Sequence, residues 1–321
     1  MTRTSAKPSL ITLIVPVLNE QESVAPFLAE IDKVFAPLAP KVTCEILFVN
    51  DGSTDATEVA IGELMKQDKR VGLINLSRNF GKEAAMRAGF EYAKGDAVIP
   101  IDVDLQDPPE IIPEMIEKWQ AGAKVVNARR ADRSKDSWLK RVTAAGFYKL
   151  INVLSENPMP HNVSDYRLLD RVVINIIRGL GERVRFNRSL IVWTGFDAQE
   201  VTFERGVRNT GKTAWSYWKL WNYALDGIFS SSTVPLRIWT YIGTVFWLLS
   251  IFYAAYIFFY TLLTGTDTPG YASTVILILL FGGMNMLAIG IIGEYIGRIY
   301  TEVRQRPIYM VRSTRGLGKG K

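Results

Sequence analysis

The chain has 321 residues, enough for about two domains, and its hydrophobic share of 48% is high for a soluble enzyme with 22% charged residues. The single cysteine, Cys44, excludes an internal disulfide and gives no sign of an oxidising compartment. The net charge of +6 suits nucleic acid, anionic lipid or phosphate ligands, but no zinc-ligand set, RNP-like aromatic run or helix-turn-helix spacing supports a nucleic-acid partner. Residues 1–9 are polar and lack the apolar core of a signal peptide.

Short β-rich runs alternate with helix-like stretches through residues 10–130. The β-rich runs are 10–15, 45–49, 71–76, 97–101 and 124–128. The helix-like stretches between them are 21–36, 55–68, 82–93 and 109–121. This alternation predicts βαβ units, and therefore an α/β fold with a mostly parallel sheet and helices on both faces.

The middle of the chain has a less regular pattern. Helices are predicted at 138–155 and 168–180, and a strand at 197–204. The segment 212–237 is rich in aromatic residues, and four of its apolar side chains fall on one helical face, Trp218, Trp221, Leu225 and Phe229. Such an amphipathic helix suits a membrane interface, and packing against the α/β part is the alternative.

Two long segments near the end of the chain contain no charged residue, 238–263 and 271–293. Each exceeds the roughly 20 residues that cross a bilayer core, and a polar turn joins them. They predict a transmembrane hairpin, with an apolar pair of core helices as the alternative. The expected organisation is an α/β domain at 1–211, a juxtamembrane segment at 212–237, the hairpin at 238–299 and a basic tail at 300–321.

Lysine and arginine flank the hairpin on one side only. They precede it at Lys212, Lys219 and Arg237, and follow it at Arg298, Arg304, Arg306, Arg312, Arg315, Lys319 and Lys321. The connector between the spans carries none. The positive-inside rule therefore places the α/β domain and both termini in the cytoplasm.

Polar residues follow four successive predicted strands. The segments are P-V-L-N-E at 16–20, N-D-G-S-T-D at 50–55, N-F-G-K at 79–82 and D-V-D-L-Q-D at 102–107. The carboxyl ends of parallel strands meet at one edge of a sheet, where open α/β folds bind their ligands. The four segments therefore predict a single pocket.

The residue types in this pocket suit a nucleotide and its phosphates. Asp102 and Asp104, one residue apart, can share a hard divalent cation with phosphate oxygens. Glu20 and Asp51 can accept hydrogen bonds from a base edge and from ribose hydroxyls. Lys82 lies at a loop–helix start, where anions are favoured, and a solvated first-turn lysine is the alternative.

These motifs, together with Pro108-Pro109 and the segment I-G-E-Y-I-G-R at 292–298, resemble the family 2 inverting glycosyltransferases with the GT-A fold. The similarity is greatest to the polyprenyl-phosphate glycosyltransferases, which include dolichol-phosphate mannose synthase and the bactoprenol glucosyltransferases. It implies a Rossmann-like GT-A domain, a nucleotide-sugar donor, a polyprenyl phosphate acceptor and Mg²⁺ or Mn²⁺. UDP-glucose is the expected donor, ahead of GDP-mannose and UDP-N-acetylhexosamine.

The resemblance also assigns roles to individual residues. Asp104 is the expected chief ligand of the metal, with Asp102 beside it at the nucleotide. The expected donor contacts are Pro16, Leu18, Glu20, Asp51, Lys82, Asp102, Val103, Gln106, Arg129 and Lys212. Basic residues near the membrane are expected to hold the lipid phosphate, namely Arg205, Arg208 and Arg237.

Asp165, in S-D-Y-R-L at 164–168, stands where inverting enzymes of this kind place a general base. A phosphate monoester has a second pKa of about 6 and is already ionised at neutral pH, so removal of a proton would add little. Asp165 is therefore expected at the catalytic centre with Asp102 and Asp104, either as a base or in orienting the acceptor. Capping of the 168–180 helix or pairing with Arg167 is the structural alternative.

The resulting hypothesis is a hexosyltransferase of the bacterial inner membrane, with its oligomeric state left open. A processive polysaccharide synthase is an alternative, but the chain lacks the Q-x-x-R-W motif of those enzymes. A haloacid-dehalogenase-type phosphatase would carry D-x-D on its first strand, whereas here the motif follows the fourth. A two-span lipid-binding scaffold without catalysis is opposed by the four clustered strand ends.

Overall fold

The computed structural model describes residues 8–130, 163–181, 187–203, 234–264 and 270–317. Its strands are β1 (Ser9–Val17), β2 (Val42–Asn50), β3 (Val71–Leu76), β4 (Ala97–Pro100), β5 (Val125–Arg130), β6 (Val163–Asp170), β7 (Ala198–Phe203) and β8 (Val311–Arg315). Its α-helices are α1 (Val24–Phe35), α2 (Thr57–Gln67), α3 (Lys82–Tyr92), α4 (Ile112–Gln120), α5 (Arg171–Gly179), α6 (Asn187–Trp193), α7 (Val234–Thr264) and α8 (Tyr271–Val303).

Within these ranges the strands form one sheet in the order β7-β5-β6-β4-β1-β2-β3-β8. The neighbours β3, β2, β1 and β4 are parallel, as are β5 and β7. This confirms the predicted α/β fold and the five strands expected before residue 130. Two strands are antiparallel to their neighbours. β6 lies between β4 and β5, and β8 pairs with the edge of β3.

The sheet is buried on both faces, as the continuous apolar runs of its strands require. Ile11 and Leu13 of β1 pack on the face that α1, α2 and α4 cover. Ile14, which points the other way, packs on the face covered by α3, α5 and α6. Each such side chain contributes about 1.5–3 kcal/mol on burial. A Cβ on Gly89 would come within 2.3 Å of Ile14, so glycine lets α3 lie close against β1.

The predicted helix at 168–180 begins later than expected, because β6 extends to Asp170. Asp170 is the residue that caps α5, and its carboxylate accepts a hydrogen bond of 2.9 Å from the backbone N–H of Val172. The suggestion that Asp165 caps this helix is therefore wrong. The predicted helix at 138–155 and the segment 212–233 lie outside the described residues.

The two helices near the end of the chain expose large apolar side chains, such as Phe252 on α7 and Met286 on α8. Among the described residues, one segment, Leu280–Val303, is long and apolar enough to cross a membrane. The apolar segment Tyr241–Tyr253 of α7 is shorter than such a span. The rings of Phe246 and Phe281 meet edge to face between the two helices, 5.7 Å apart. Of the two predicted spans, only the second therefore coincides with such a segment, and the two-span hairpin stays a prediction.

The basic tail returns to the α/β domain, which the sequence did not predict. Residues of β8 pair antiparallel with β3, at Leu73↔Arg315 and Asn75↔Ser313. β8 thereby covers the N–H and C=O groups of an edge strand, which would otherwise invite pairing with another chain. The segment 311–315 thus belongs to the sheet and is not a separate tail.

Candidate active site

The loops after β1 and β2 interlock at the carboxyl edge of the sheet. Asn19 has a left-handed backbone with φ of 57°. Its N–H donates to Ser53 Oγ at 3.0 Å, and its side-chain oxygen accepts from the N–H of Thr54 at 2.8 Å. Asparagine tolerates this backbone conformation, and its side chain can hydrogen-bond to the neighbouring loop, which explains why asparagine is found here. The first two predicted pocket segments are therefore in direct contact.

Asp51 fixes the third segment to the second. One of its carboxylate oxygens accepts from the N–H of Phe80 at 2.7 Å, and the other accepts from the N–H of Gly81 at 2.9 Å. Burial raises the pKa of Asp51, although these two bonds and the charge of Arg78 oppose the rise. Asp51 was expected to contact the nucleoside, and the structure adds that both oxygens hold the loop before α3.

Gly52 allows that close approach. Its φ of 74° is one that side chains disfavour, and a Cβ there would lie 2.5 Å from the carbonyl carbon of Arg78. Glycine is needed at this point for both reasons.

Lys82, the first residue of α3, contacts Asp102 at the end of β4. Its Nζ lies 2.6 and 2.8 Å from the two carboxylate oxygens. Burial lowers the pKa of Lys82, but the carboxylates of Asp102, Asp165 and Asp107 raise it more, so the pKa is higher than usual. Lys82 is therefore ion-paired with Asp102 at this edge of the sheet, although 46% of its side chain stays exposed to solvent.

The D-x-D segment is anchored by its middle residue. Val103 is buried in the core, whereas Asp102 and Asp104 are both partly exposed. An oxygen of Asp104 accepts from the N–H of Gln106 at 3.1 Å. Between them Leu105 has a φ of 56°, which costs a non-glycine residue about 1–2 kcal/mol. Strain of this kind is concentrated at functional sites.

β6 brings Asp165 to the same place. β6 runs antiparallel to β4 with Ala97 opposite Asp170 and Val98 opposite Leu169. The charge of Asp165, near the start of β6, acts on Lys82, so this carboxylate lies close to the Lys82–Asp102 pair. The next residue, Tyr166, donates a hydrogen bond of 3.0 Å from its hydroxyl to the carbonyl oxygen of Pro108. The strand thus also holds the loop that follows the D-x-D segment.

The two aspartates suit a hard divalent cation. In the described part of the chain, no group of three or more His, Cys, Asp and Glu side chains is arranged to hold a metal ion. Mg²⁺ is commonly bound by one or two carboxylates together with substrate phosphates and water. Asp102 and Asp104 therefore fit Mg²⁺ or Mn²⁺ if a bound diphosphate supplies further oxygens.

Other residues expected to contact the donor lie at the same edge. Pro16 and Leu18 are at the end of β1, and Leu18 is 41% exposed. Glu20 accepts from the hydroxyl of Ser23 at 2.7 Å, and its N–H donates to Thr57 Oγ1 at 2.8 Å. Gln106 is buried below the D-x-D segment.

The basic residues are placed differently. Arg129 on β5 lies two strands from β4, and its guanidinium pairs with Glu200 of β7 at 2.9 Å. Arg237 falls in the first turn of α7. Arg205, Arg208 and Lys212 lie outside the described residues. The structure therefore brings Lys82 to the aspartates and gives Arg129 a partner on the adjacent strand.

A buried amide pair behind the site was missed in the sequence. The side-chain oxygen of Asn50 accepts from the N–H of Ser53 at 2.9 Å, and its Nδ2 donates to Asn75 Oδ1 at 2.9 Å. Asn75 Nδ2 donates in turn to Ser313 of β8 and to Glu58, each at 3.0 Å. The available signal was an asparagine inside an apolar strand, which requires partners when buried.

Comparison with known proteins agrees with this geometry. The model of glycosyl transferase family 2 matches residues 12–177, which include β1 to β6 and the site just described. A second model, the GtrB C-terminal hairpin, matches residues 234–299. The chain therefore belongs to glycosyltransferase family 2 and is a glycosyltransferase.

Relatives match almost the whole chain. An uncharacterized glycosyltransferase of Synechocystis sp. is 46% identical over 307 residues, which cover 96% of each chain. The bactoprenol glucosyl transferase of Shigella phage SfII is 48% identical over 304 residues, 95% of this chain and 98% of that one. A solved mannosyltransferase of Pyrobaculum calidifontis, in complex with GDP-Man and Mn²⁺, is 18% identical with a TM-score of 0.48, covering 91% of this chain and 88% of that chain.

Proposed function

We propose that this glycosyltransferase is a membrane-bound inverting enzyme that moves glucose from UDP-glucose to polyprenyl phosphate at the cytoplasmic face. The observation that carries the proposal is the cluster of Lys82, Asp102, Asp104 and Asp165, which lies where β4 ends and β6 begins. The acceptor and the sugar are suggested by the bactoprenol glucosyl transferases, which are 47–48% identical over nearly the full chain.

The nucleotide is assigned to the interlocked loops after β1, β2 and β3. The carboxylates of Glu20 and Asp51 offer acceptors for hydrogen bonds from the base and the ribose. Lys82 offers a positive charge for the diphosphate. A divalent ion held by Asp104 and Asp102 would supply Lewis-acid stabilisation of the leaving nucleoside diphosphate. For that ion to bind, the Asp102 carboxylate must contact both the ion and Lys82, or the Lys82 side chain must turn toward the phosphates.

The acceptor phosphate needs orientation more than activation. It is ionised near neutral pH, and its oxygen can attack the anomeric carbon opposite the leaving diphosphate, which inverts that centre. Asp165 lies close enough to the Lys82–Asp102 pair for its charge to act on Lys82, so it suits a role in positioning the sugar and the incoming phosphate.

The pairing of β8 with β3 supports a hairpin with both ends on one side of the membrane. Because β8 follows α8 in the chain and lies in the α/β sheet, the end of α8 faces the same side as that sheet. If Leu280–Val303 crosses the bilayer, the chain before it must cross in the other direction, and α7 is the helix that precedes it. The positive-inside rule assigns that side to the cytoplasm.

A transfer assay with the full-length protein tests the proposal. Labelled glucose should pass from UDP-glucose to polyprenyl phosphate in the presence of Mg²⁺ or Mn²⁺, and Asp104→Asn should reduce the rate by about 10²-fold or more. Glu63→Gln, an exposed substitution on α2, is the control and should leave the rate unchanged. Binding of UDP-glucose without transfer to any lipid would favour the scaffold and contradict the proposal.

A further inference from the structure

A pocket of about 410 Å³ lies between the end of α8 and the start of α3. The loop and first turn of α3 contribute Phe80, Glu83 and Ala84 to its wall. The residues at and after the end of α8 contribute Thr301, Arg304, Arg306, Pro307 and Ile308. None of these residues belongs to the donor cluster described above.

The chemistry of the wall suits a phosphate group. The wall contains two arginines, Arg304 and Arg306, and one glutamate, Glu83, so it carries an excess of positive charge. Guanidinium groups bind phosphate oxygens through paired N–H donors. The pocket also includes the first turn of α3, an 11-residue helix whose amino-terminal dipole favours an anion. Phe80 and Ile308 give the rest of the wall an apolar character.

The position of the pocket points to a ligand that comes from the membrane. Arg304 directly follows Val303, the last residue of the segment that is long and apolar enough to cross a bilayer. The charge-free part of α8 ends at Gly293, eleven residues before Arg304. Basic residues that follow a span on its cytoplasmic side attract anionic head groups, so a phosphate carried by a lipid is drawn toward Arg304 and Arg306.

The pocket is also connected to the donor site through α3. Lys82 and Glu83 are consecutive residues in the first turn of α3. Lys82 contacts Asp102, whereas Glu83 lines the pocket. Phe80, which lines the pocket as well, has its backbone N–H held by Asp51. A group bound in the pocket and the donor cluster thus lie on two sides of one helical turn.

We propose that this pocket binds the phosphate group of a membrane lipid, with Arg304 and Arg306 as its ligands. In so far as the lipid is the acceptor, polyprenyl phosphate, the assignment rests on the proposed function. An anionic phospholipid presents the same group. The assignment adds Arg304 and Arg306 to the residues expected to hold the lipid phosphate, Arg205, Arg208 and Arg237.

A direct measurement of lipid binding tests this proposal independently of the proposed function. Full-length protein in phosphatidylcholine nanodiscs is titrated with polyprenyl phosphate and, in a second series, with phosphatidylglycerol. Arg304→Gln/Arg306→Gln should weaken binding of at least one of the two lipids about tenfold or more, because charge-assisted hydrogen bonds are lost. Arg304→Lys/Arg306→Lys, which keeps the charge, should retain part of that binding.

Arg312→Gln/Arg315→Gln is the matched control, because it removes two charges from the same tail at residues that pair with Glu58 and do not line the pocket. It should bind both lipids like the unaltered protein, and UDP-glucose should raise the unfolding temperature of all variants alike. A loss confined to polyprenyl phosphate identifies the acceptor as the occupant, and a loss confined to phosphatidylglycerol identifies a phospholipid. Unchanged binding of both lipids to Arg304→Gln/Arg306→Gln overturns the proposal, whether or not the enzyme transfers glucose.

Discussion

Asn75 and Ser313 are 238 positions apart in the chain, yet the Asn75 side-chain amide donates a hydrogen bond of 3.0 Å to the Ser313 hydroxyl. Asn75 is fully buried, and its oxygen accepts from Asn50, which holds the backbone of Ser53 at the edge of the donor site. The strand that follows the membrane helices is thereby linked to the loop expected to bind the nucleotide.

Breaking this link should affect both stability and donor binding. Ser313→Ala removes one of the two acceptors of the Asn75 amide and should lower the free energy of unfolding by about 1 kcal/mol. Asn75→Ala leaves the Asn50 amide without its acceptor and should cost about 1–3 kcal/mol, with a higher KM for the donor. Unfolding temperatures and donor kinetics measure the two effects. Ser77→Ala, an exposed serine after β3, is the control, and an equal loss in all three variants would contradict the account.

Gly52 and Gly122 form a matched pair that separates backbone strain from steric contact. Both have positive φ, 74° and 116°, but a Cβ on Gly122 meets nothing within 4 Å, whereas one on Gly52 meets the backbone of Arg78. Both alanine variants should lose about 1 kcal/mol for the backbone conformation. Gly52→Ala should lose more and should also raise the KM for the nucleotide sugar. Equal thermal shifts with unchanged KM values would show that the loops do not pack as described.

Substitutions of Lys82 test whether its positive charge contributes to the reaction at the donor cluster. Lys82→Met removes the positive partner of the Asp102 carboxylate and a donor to the diphosphate. We expect kcat to fall by about 10²–10³-fold, the range for loss of a preorganised electrostatic group. Lys82→Arg should retain more activity than Lys82→Met. Lys66→Met, on the exposed surface of α2, controls for the loss of a lysine, and near-normal turnover in Lys82→Met would exclude a role in the reaction.

The lowered pKa of Asp170 predicts that the folded protein loses stability in acid. Burial raises its pKa, but the N–H of Val172, the indole N–H of Trp119 and the charge of Lys124 lower it more, so the folded-state pKa lies below the usual 3.8. Its carboxylate therefore stabilises the fold above pH 3.8, and this contribution is lost as the pH falls through the folded-state pKa.

Thermal unfolding at several pH values measures this contribution. Asp170→Asn should be less stable than the unaltered protein at pH 7, and the difference should shrink below pH 3.8. Glu63→Gln, at an exposed position, should show no such convergence. A difference that stays constant with pH would mean that the charge of Asp170 does not stabilise the fold.

Local patterns predicted most of the α/β domain because its strands form from short apolar runs. The strand at 71–76 has the predicted bounds, and the helix predicted at 82–93 ends one residue earlier. β6 was missed because its residues are polar at the start and lead directly into α5. β8 was missed because V-R-S-T-R becomes a strand only through its pairing with β3, which lies more than 200 residues earlier.

The candidate site was predicted as a set of strand ends but not as a set of contacts. Parallel strands place Lys82 and Asp102 at one edge, yet only the path of α3 determines that Lys82 Nζ reaches the carboxylate. Arg129 was assigned to phosphate from its position at a strand end, and its pairing with Glu200 depends on β7, whose order in the sheet the sequence did not give.

The product formed on the lipid distinguishes an inverting hexosyltransferase from a polymerising or a retaining enzyme. Full-length protein is incubated with UDP-glucose, polyprenyl phosphate and Mg²⁺ or Mn²⁺, and the lipid is analysed by mass spectrometry and by the configuration of the new anomeric bond. We expect one hexose per lipid phosphate, with an anomeric configuration opposite to that of the donor. A polymer of sugars, a retained configuration or an unmodified lipid would contradict this expectation.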